Sequence, residues 1–298
     1  VLKLLGDRTD GPGRPGNRWR QVRELGRKPL GTKDYADVLE ALDRDSVATC
    51  MVAARVAEHG LSPRTLGGEL WTAGDPGQSL CFSGANLIPL LGDRDALMDF
   101  ADRAAAAPRM CSSLVGRSEL VLPMWTELAQ VWGPPREVRD HQPLMALTGP
   151  PLITPDPRVR QVTLSDLDCY LPAAVDMFVG EVGVDPRDGD DGRSYRRRIA
   201  NLIAAGRAFA AIEDGEVIFK AEIGAMSPAV GQIQGVWVAP AHRGKGLGAS
   251  GTAAVAAAIT DLGRQPSLYV NSFNSAARAA YRSVGFVEIG SFATVLVD

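Results

Sequence analysis

The sequence predicts a mixed α/β protein made of two successive units of one plan. Three observations carry that expectation. The stretch GPPLITPDP, residues 149–157, holds four prolines in nine residues, which resists helix and sheet pairing and marks a linker. The residues on either side of it pass through the same succession of strand, polar cap and helix patterns. A glycine-rich run, His242-Arg243-Gly244-Lys245-Gly246-Leu247-Gly248, lies between a strand pattern and a helix pattern of the second half and has no counterpart in the first.

Taken in order, QVRELG reads as a short alternating strand, and Gly31-Thr32-Lys33-Asp34 caps the amphipathic helix pattern YADVLEALDRD. GGELWTA and QSLCFSGANLIPL read as central strands, DRDALMDFADRAAA as the following helix, and RMCSSLVG as the next strand. ELVLPMWTELAQVWG closes the first unit. After the linker, RVRQV leads through Thr163-Leu164-Ser165-Asp166 into the helix pattern LDCYLPAAVDMFVGEVG. FAAIEDGEVIFKAEIGAM and GQIQGVWVAP read as strands, GASGTAAVAAAITDLG as a helix, PSLYVN as a strand and SAARAAYRSVGF as the last helix. These pairings fit an internal repeat of roughly 140 residues, with little identity between the halves. The expected organisation is a basic arm (1–20), a first unit (21–148), the proline-rich linker (149–157) and a second unit (158–298).

With 298 residues the chain is long enough for two domains, and 45% hydrophobic and 22% charged residues are the proportions of a globular protein. A net charge of −3 gives no global signal for nucleic acid. Residues 1–33 differ, with nine Lys/Arg against three Asp/Glu, and GPGRPGNR within them cannot bury a core. That segment reads as a solvated tail rather than a nucleic-acid arm. Cys50, Cys81, Cys111 and Cys169 are widely spaced, and His59, His141 and His242 form no ligand pair, so neither a disulfide framework nor a metal site is expected. No apolar run approaches membrane-spanning length, and VLKLLGDRTD is too short and too soon charged for a signal peptide. A cytoplasmic protein is expected.

The run Arg243-x-x-Gly246-x-Gly248 at the start of a helix leaves backbone N–H groups uncovered and adds the positive end of the helix dipole, which together make a pyrophosphate site. In the next strand–helix unit come Asn274, Tyr281 seven residues later, and Gly285-Phe286. Together these two motifs resemble the GCN5-related N-acetyltransferase (GNAT) family. The resemblance implies two tandem acetyltransferase-like domains, the first degenerate: at the matching place it reads NLIPLLGDRD, and Met124-Trp125 fall where the tyrosine would be. The arrangement also resembles actinobacterial proteins in which an uncharacterised amino-terminal domain is fused to an acetyltransferase domain.

The resemblance implies acetyl-coenzyme A as acetyl donor and an amine as acceptor, reacting directly in a ternary complex. Two parallel strands, here GVWVAP and SLYVN, would part to admit the pantetheine arm. Backbone N–H groups around Val236, Trp237 and Val238 would bind it and polarise the thioester carbonyl. Arg243, Gly244, Lys245, Gly246, Leu247 and Gly248 would hold the pyrophosphate, with Leu247 turned into the core and Lys245 either solvated or drawn to the ribose phosphate. Tyr281 would protonate the leaving thiolate, and Asn274 would contact the cofactor or cap the helix. Family members often place a glutamate on the strand before the loop. That strand here carries Gln232 and Gln234, so Glu222 on the preceding strand is the nearest candidate base. The segment EVGVDPRDGDDGRSYRRR usually borders the acceptor. Five acids against one Arg between Glu181 and Asp191 suit a cationic amine, or are neutralised by the arginines that follow.

Three other readings compete. Gly246-Leu247-Gly248-Ala249-Ser250-Gly251 matches the dinucleotide pattern, but it does not directly follow the strand, and the next strand ends in Asn271 rather than an acid. A P-loop needs Ser or Thr after Gly-Lys, which is missing. A non-catalytic acyl-coenzyme A sensor using the same pocket is the alternative from another class. The acceptor, the length of the acyl chain and the oligomeric state are not legible.

Overall fold

The computed structural model describes residues 30–188 and 190–297. The expected arm and the strand expected in QVRELG lie outside the described residues. The chain divides into two compact units. The first runs to Arg44 and then comprises Glu58–Asp140 and the residues from Ala293 on; the second is Asp45–Ala57 with His141–Phe292.

In the first unit, Gly31 N–H donates to Asp34 Oδ2 at 2.9 Å, closing the polar turn before helix α1 (Tyr35–Asp43), which buries Val38, Ala41 and Leu42. Helix α2 (Cys50–His59) starts within the second unit, and its Cys50 thiol donates to the Val230 carbonyl at 3.4 Å. A short α3 (Pro63–Leu66) precedes strands β1 (Gly68–Trp71), β2 (Leu80–Gly84) and β3 (Leu87–Leu91), which pair antiparallel. Helix α4 (Arg94–Ala105) crosses to β4 (Ser113–Arg117), which lies parallel to β3, and α5 (Ser118–Trp132) follows. Phe100 and Leu97 of α4 meet Met124, Trp125 and Leu128 of α5 in the core. The last element to begin in this unit is β5 (Glu137–Ala146), whose residues from His141 on belong to the second.

The second unit repeats the order of elements. The two-residue β6 (Arg160–Gln161) leads to a turn in which Thr163 N–H donates to Asp166 Oδ2 at 2.8 Å, as Gly31 does to Asp34. Helix α6 (Leu167–Val182) follows, then α7 (Arg193–Ala204). Strands β7 (Ala208–Glu213) and β8 (Glu216–Met226) form a hairpin whose Asp214-Gly215 corner has both φ values positive, at 49° and 81°, the geometry such a dipeptide favours. Strand β9 (Val230–Val238), helix α8 (Leu247–Asp261), strand β10 (Gln265–Tyr269), helix α9 (Ser275–Val284) and strand β11 (Val287–Leu296) complete the chain. The strand order here is β5-β10-β9-β8-β7-β6, in which β9 and β10 alone are parallel. Alternate residues of β8 serve opposite faces. Phe219, Ala221 and Ile223 enter the core beneath α8 and α9, while α6 and α7 cover the other face with Tyr170, Tyr195 and Ile199.

Besides helices α2 and α3, which have no counterpart in the sequence reading, three features depart from it. The proline-rich stretch does not lie at the division between units. Two of its N–H groups are used within the second unit: Leu152 N–H donates to Val284 O at 2.8 Å and Asp156 N–H to Ser250 O at 3.0 Å. It is a strap on α8 and α9 instead of a free connection. Second, α7 begins at Arg193, inside the segment read as a loop. Its apolar positions Tyr195, Ile199 and Ile203 recur every four residues, but exposed Arg196, Arg197 and Arg198 interrupt them and hide the period. Third, β5 and β11 were not expected. Residues 144–146 of β5 pair with β10, and His141 Nδ1 lies 2.8 Å from Ser291 Oγ of β11.

Among the described residues, no helix is long and apolar enough to cross a membrane, and all four cysteines are free thiols.

Candidate active site

The site is built where β9 and β10 stop pairing. Their parallel register runs from Val230↔Gln265 to Gln232↔Ser267 and ends there, although both strands continue. Beyond that rung the edge of β9 facing β10 is open. Val236 and Val238 pack toward α8 and α9, and Trp237 packs on the opposite side with α6 and α7. The side chains of 236–238 are thus committed to the two cores, which leaves main chain to line the opening. The same stretch carries a bulge: against β8, Gln234 pairs with Glu222 and Trp237 with Lys220, so β9 has one residue more, and Gly235 sits there with φ +58°.

Past the end of β9 the chain makes a 3-10 turn (Pro240–His242) and then the glycine-rich run. Arg243 Nε donates back to Val238 O at 3.0 Å, which ties the loop to the end of the strand. Gly244 and Gly246 have φ +73° and +82°, and Gly246 is the N-cap of α8 with no side chain capping it. Side chains with a Cβ rarely take that conformation. Among the described residues, the N–H groups of Gly244 through Gly248 have no hydrogen-bond partner. They are the free donors of a helix N-terminus, with its partial positive charge. Leu247 is buried in the core, Lys245 is exposed, and Gly248 lies against Val238.

The start of α4 in the first unit is the contrast. There Asp93 is the N-cap, and its own carboxylate accepts from Ala96 N–H at 3.0 Å. An anion of the chain already fills the place where a phosphate would sit. Met124 and Trp125 are buried in that unit's core, so nothing at the tyrosine's counterpart can donate a proton.

Tyr281 lies on α9 within the core that holds Leu247, with Val236 and Val238 packed against it. Its ring meets Phe286 edge-on, 6.3 Å between centroids, and among the described residues its hydroxyl makes no hydrogen bond. Burial, with the Glu181 carboxylate adding to it, pushes the phenol well above its ordinary value, so it stays protonated throughout the neutral range. Asn274 caps α9, accepting from Ala277 N–H at 3.1 Å. Its side-chain oxygen thus performs the capping role, one of the two open to it in the sequence.

Glu222 is enclosed. Its carboxylate accepts from Lys220 Nζ at 2.6 Å, from the Tyr170 hydroxyl at 3.3 Å and from the Gln234 amide at 3.4 Å, and both Lys220 and Glu222 are essentially inaccessible to solvent. Burial alone would raise its pKa, but the Lys220 ammonium, with help from Arg198 and the Gln234 amide, holds it below the ordinary value. That is the environment of a fixed carboxylate and a poor one for a base that must meet an amine. Sequence reasoning passed over Lys220, because its partner two residues on is visible only once the strand is placed. It also passed over Ser267 and Arg278, on β10 and α9, whose Oγ and Nε are buried without a hydrogen-bond partner among the described residues.

The acidic segment is partly spoken for. Asp185 is held by Arg187 at 2.7 Å, which lowers its carboxyl to about 2, and Asp190 accepts from Ser194 N–H at 2.9 Å at the start of α7.

Residues 220–296 match the FR47-like protein family. The carboxy-terminal region has a GNAT-type fold. Residues 68–170 match a domain of unknown function, DUF4081, so a distinct domain precedes the GNAT-type one. Among curated proteins, none matches the chain in sequence. Solved structures share the fold at low identity. A GNAT-family acetyltransferase from Colwellia psychrerythraea aligns at 11% identity over 92% of this chain and 100% of its own, with a TM-score of 0.54. A GCN5-related N-acetyltransferase from Sphaerobacter thermophilus aligns at 17% over 90% and 94%, TM-score 0.53. Another from Kribbella flavida aligns at 17% over 83% and 96%, TM-score 0.51. The fold class expected from the sequence is therefore the fold observed. The dinucleotide reading does not survive: a GNAT-type sheet with one parallel pair in its unit is not a doubly wound parallel sheet.

Proposed function

We propose that the protein is an acetyl-coenzyme A-dependent N-acetyltransferase whose site lies wholly in the GNAT-type domain. The observation that carries this reading is the uncapped N-terminus of α8, with its row of free N–H groups, at the mouth of the gap between β9 and β10. The pyrophosphate is held by residues 243–248, and the pantetheine arm lies along main chain at Val236–Val238. The amine nitrogen attacks the thioester carbon, the carbonyl oxygen takes the negative charge facing the β9 amides, and the C–S bond breaks. Tyr281 donates its proton to the departing sulfur, the amine nitrogen gives up one proton to solvent, and the tyrosinate regains one from solvent, so the products are an amide and a free thiol and the enzyme is restored. Glu222, locked under Lys220, is not assigned the removal of that proton. The test is thiol release from acetyl-coenzyme A over a panel of small amines and peptides. Turnover with one of them is the expected result, and binding of acetyl-coenzyme A without release from any would favour the acyl-coenzyme A sensor. One observation speaks for that second reading: Glu222, the acid paired across from Gln234 beside the bulge, is held in an ion pair.

Two expectations follow for the whole chain. Because Asp93 occupies the start of α4, titration should give one acetyl-coenzyme A per chain, and two would place a further site in the first unit. Because Asp185 and Asp190 are engaged locally, Asp188 and Asp191 are the acids available to attract a cationic acceptor. Asp188→Asn with Asp191→Asn should raise the acceptor KM on the order of a few-fold at low salt, an effect that fades as salt screens it, with the donor KM unchanged. Equal kinetics of both proteins at every salt concentration would remove the segment from the acceptor site.

A further inference from the structure

We infer that the buried Lys220–Glu222 ion pair positions the β9 bulge, and through it the backbone amides that receive the pantetheine arm; the inference rests on the acetyl-coenzyme A reading above. The bulge is bracketed by two register pairs, Glu222↔Gln234 and Lys220↔Trp237. The two β8 members of those pairs are the residues joined at 2.6 Å on the face toward α6. Glu222 also receives the amide of Gln234, the residue just before the bulge. Gln234 reaches it across Gly224, where a Cβ would collide with the Gln234 side chain.

The bulge residue itself leans on the pair. A Cβ on Gly235 would stand 3.3 Å from Lys220 Nζ, 3.5 Å from Glu222 Oε2 and 3.0 Å from Met177 Cε. With φ at +58° and this little room, glycine is required on both counts. A fully buried ion pair is weak as a source of stability, since apolar residues of similar size often serve as well. Its value lies in a fixed geometry, and the geometry it fixes is that of residues 234–237. Lys220 and Glu222 are thus positioning residues, and Tyr170, donating to Glu222 from α6, completes the set.

The experiment compares two ligands on the full chain. Acetyl-coenzyme A uses the loop and the β9 amides, whereas adenosine diphosphate carries a pyrophosphate and has no pantetheine arm. Removing one partner alone would strand a buried charge, so the variant is the pair Lys220→Met with Glu222→Met, which keeps the volume. Its thermal midpoint should be equal to or above that of the parent. Its Kd for acetyl-coenzyme A should rise at least tenfold, and its Kd for adenosine diphosphate should change less than twofold. Gly235→Ala, which crowds the bulge against the pair while leaving both charges in the chain, should show the same selective loss and serves if the double variant does not fold. An acetyl-coenzyme A Kd within twofold of the parent in these variants overturns the positioning role and leaves the acetyl-coenzyme A reading intact. An equal loss of both ligands also overturns it, since the effect would not be confined to the arm. A parent protein that does not bind acetyl-coenzyme A overturns the earlier reading, and the inference with it.

Discussion

Gly248→Asp should abolish the thermal stabilisation that acetyl-coenzyme A gives the parent protein. A ligand present at a hundred times its Kd stabilises the native state by about 2.7 kcal/mol, roughly 5–10 °C in thermal midpoint for a unit of this size. The substitution puts a carboxylate in the first turn of α8, among N–H groups that have no other partner. A negative charge there stabilises the helix by roughly 0.3–1 kcal/mol, so the unliganded variant should be at least as stable as the parent. The same charge would repel and replace the proposed pyrophosphate. The first unit already has this arrangement, with Asp93 bonded into the start of α4. Gly248→Ala is the control. Its Cβ would meet Val238 Cγ2 at 3.6 Å, an ordinary contact, so most of the ligand-induced shift should remain. Differential scanning fluorimetry with and without acetyl-coenzyme A reads both variants. A full shift in the Asp variant would place the cofactor away from α8.

Much of the second unit was legible because its signals are local. Asp214-Gly215 announces a hairpin, Thr163 to Asp166 a cap, and the glycines at 244, 246 and 248 an open helix start, and each works through backbone geometry within a few residues. What was not legible depends on partners distant in sequence. The strap at 149–157 is proline-rich as a linker would be, and only the placement of α8 and α9 shows that Leu152 and Asp156 spend their N–H groups there. Glu222 reads as an available acid until the pleat of β8 brings Lys220 onto the same face and the register brings Gln234 across from it. Residues 293–296 belong to the first unit although they end the strand that begins at Val287, a division that no hydrophobic period records. The motif residues fared differently. Spacing alone put Tyr281 and Asn274 on one helix, and the structure sets the ring of Tyr281 into the core shared by α8, α9 and β9, with Asn274 at the helix start.

That placement determines what the tyrosine's hydroxyl contributes. Tyr281→Phe removes one oxygen and leaves the ring, its edge-on contact with Phe286 and the surrounding apolar packing. The variant should therefore fold as the parent does and bind acetyl-coenzyme A with a similar Kd. If the hydroxyl protonates the departing thiolate, kcat should fall about a hundredfold, the lower end of what a positioned acid supplies, or about 2.7 kcal/mol of barrier. The upward displacement of the phenol fixes the sign of the pH dependence. An acid whose ionisation lies above the neutral range stays loaded there, so from pH 6 to 9 the parent should lose no activity through Tyr281 ionising. Any limb at lower pH belongs to the acceptor amine, and it should persist in the Phe variant at its reduced rate. Single-turnover thiol release at saturating acetyl-coenzyme A separates this step from product release. A Phe variant that releases thiol at the parent's rate would make Tyr281 a packing residue and leave the leaving group to be protonated by solvent.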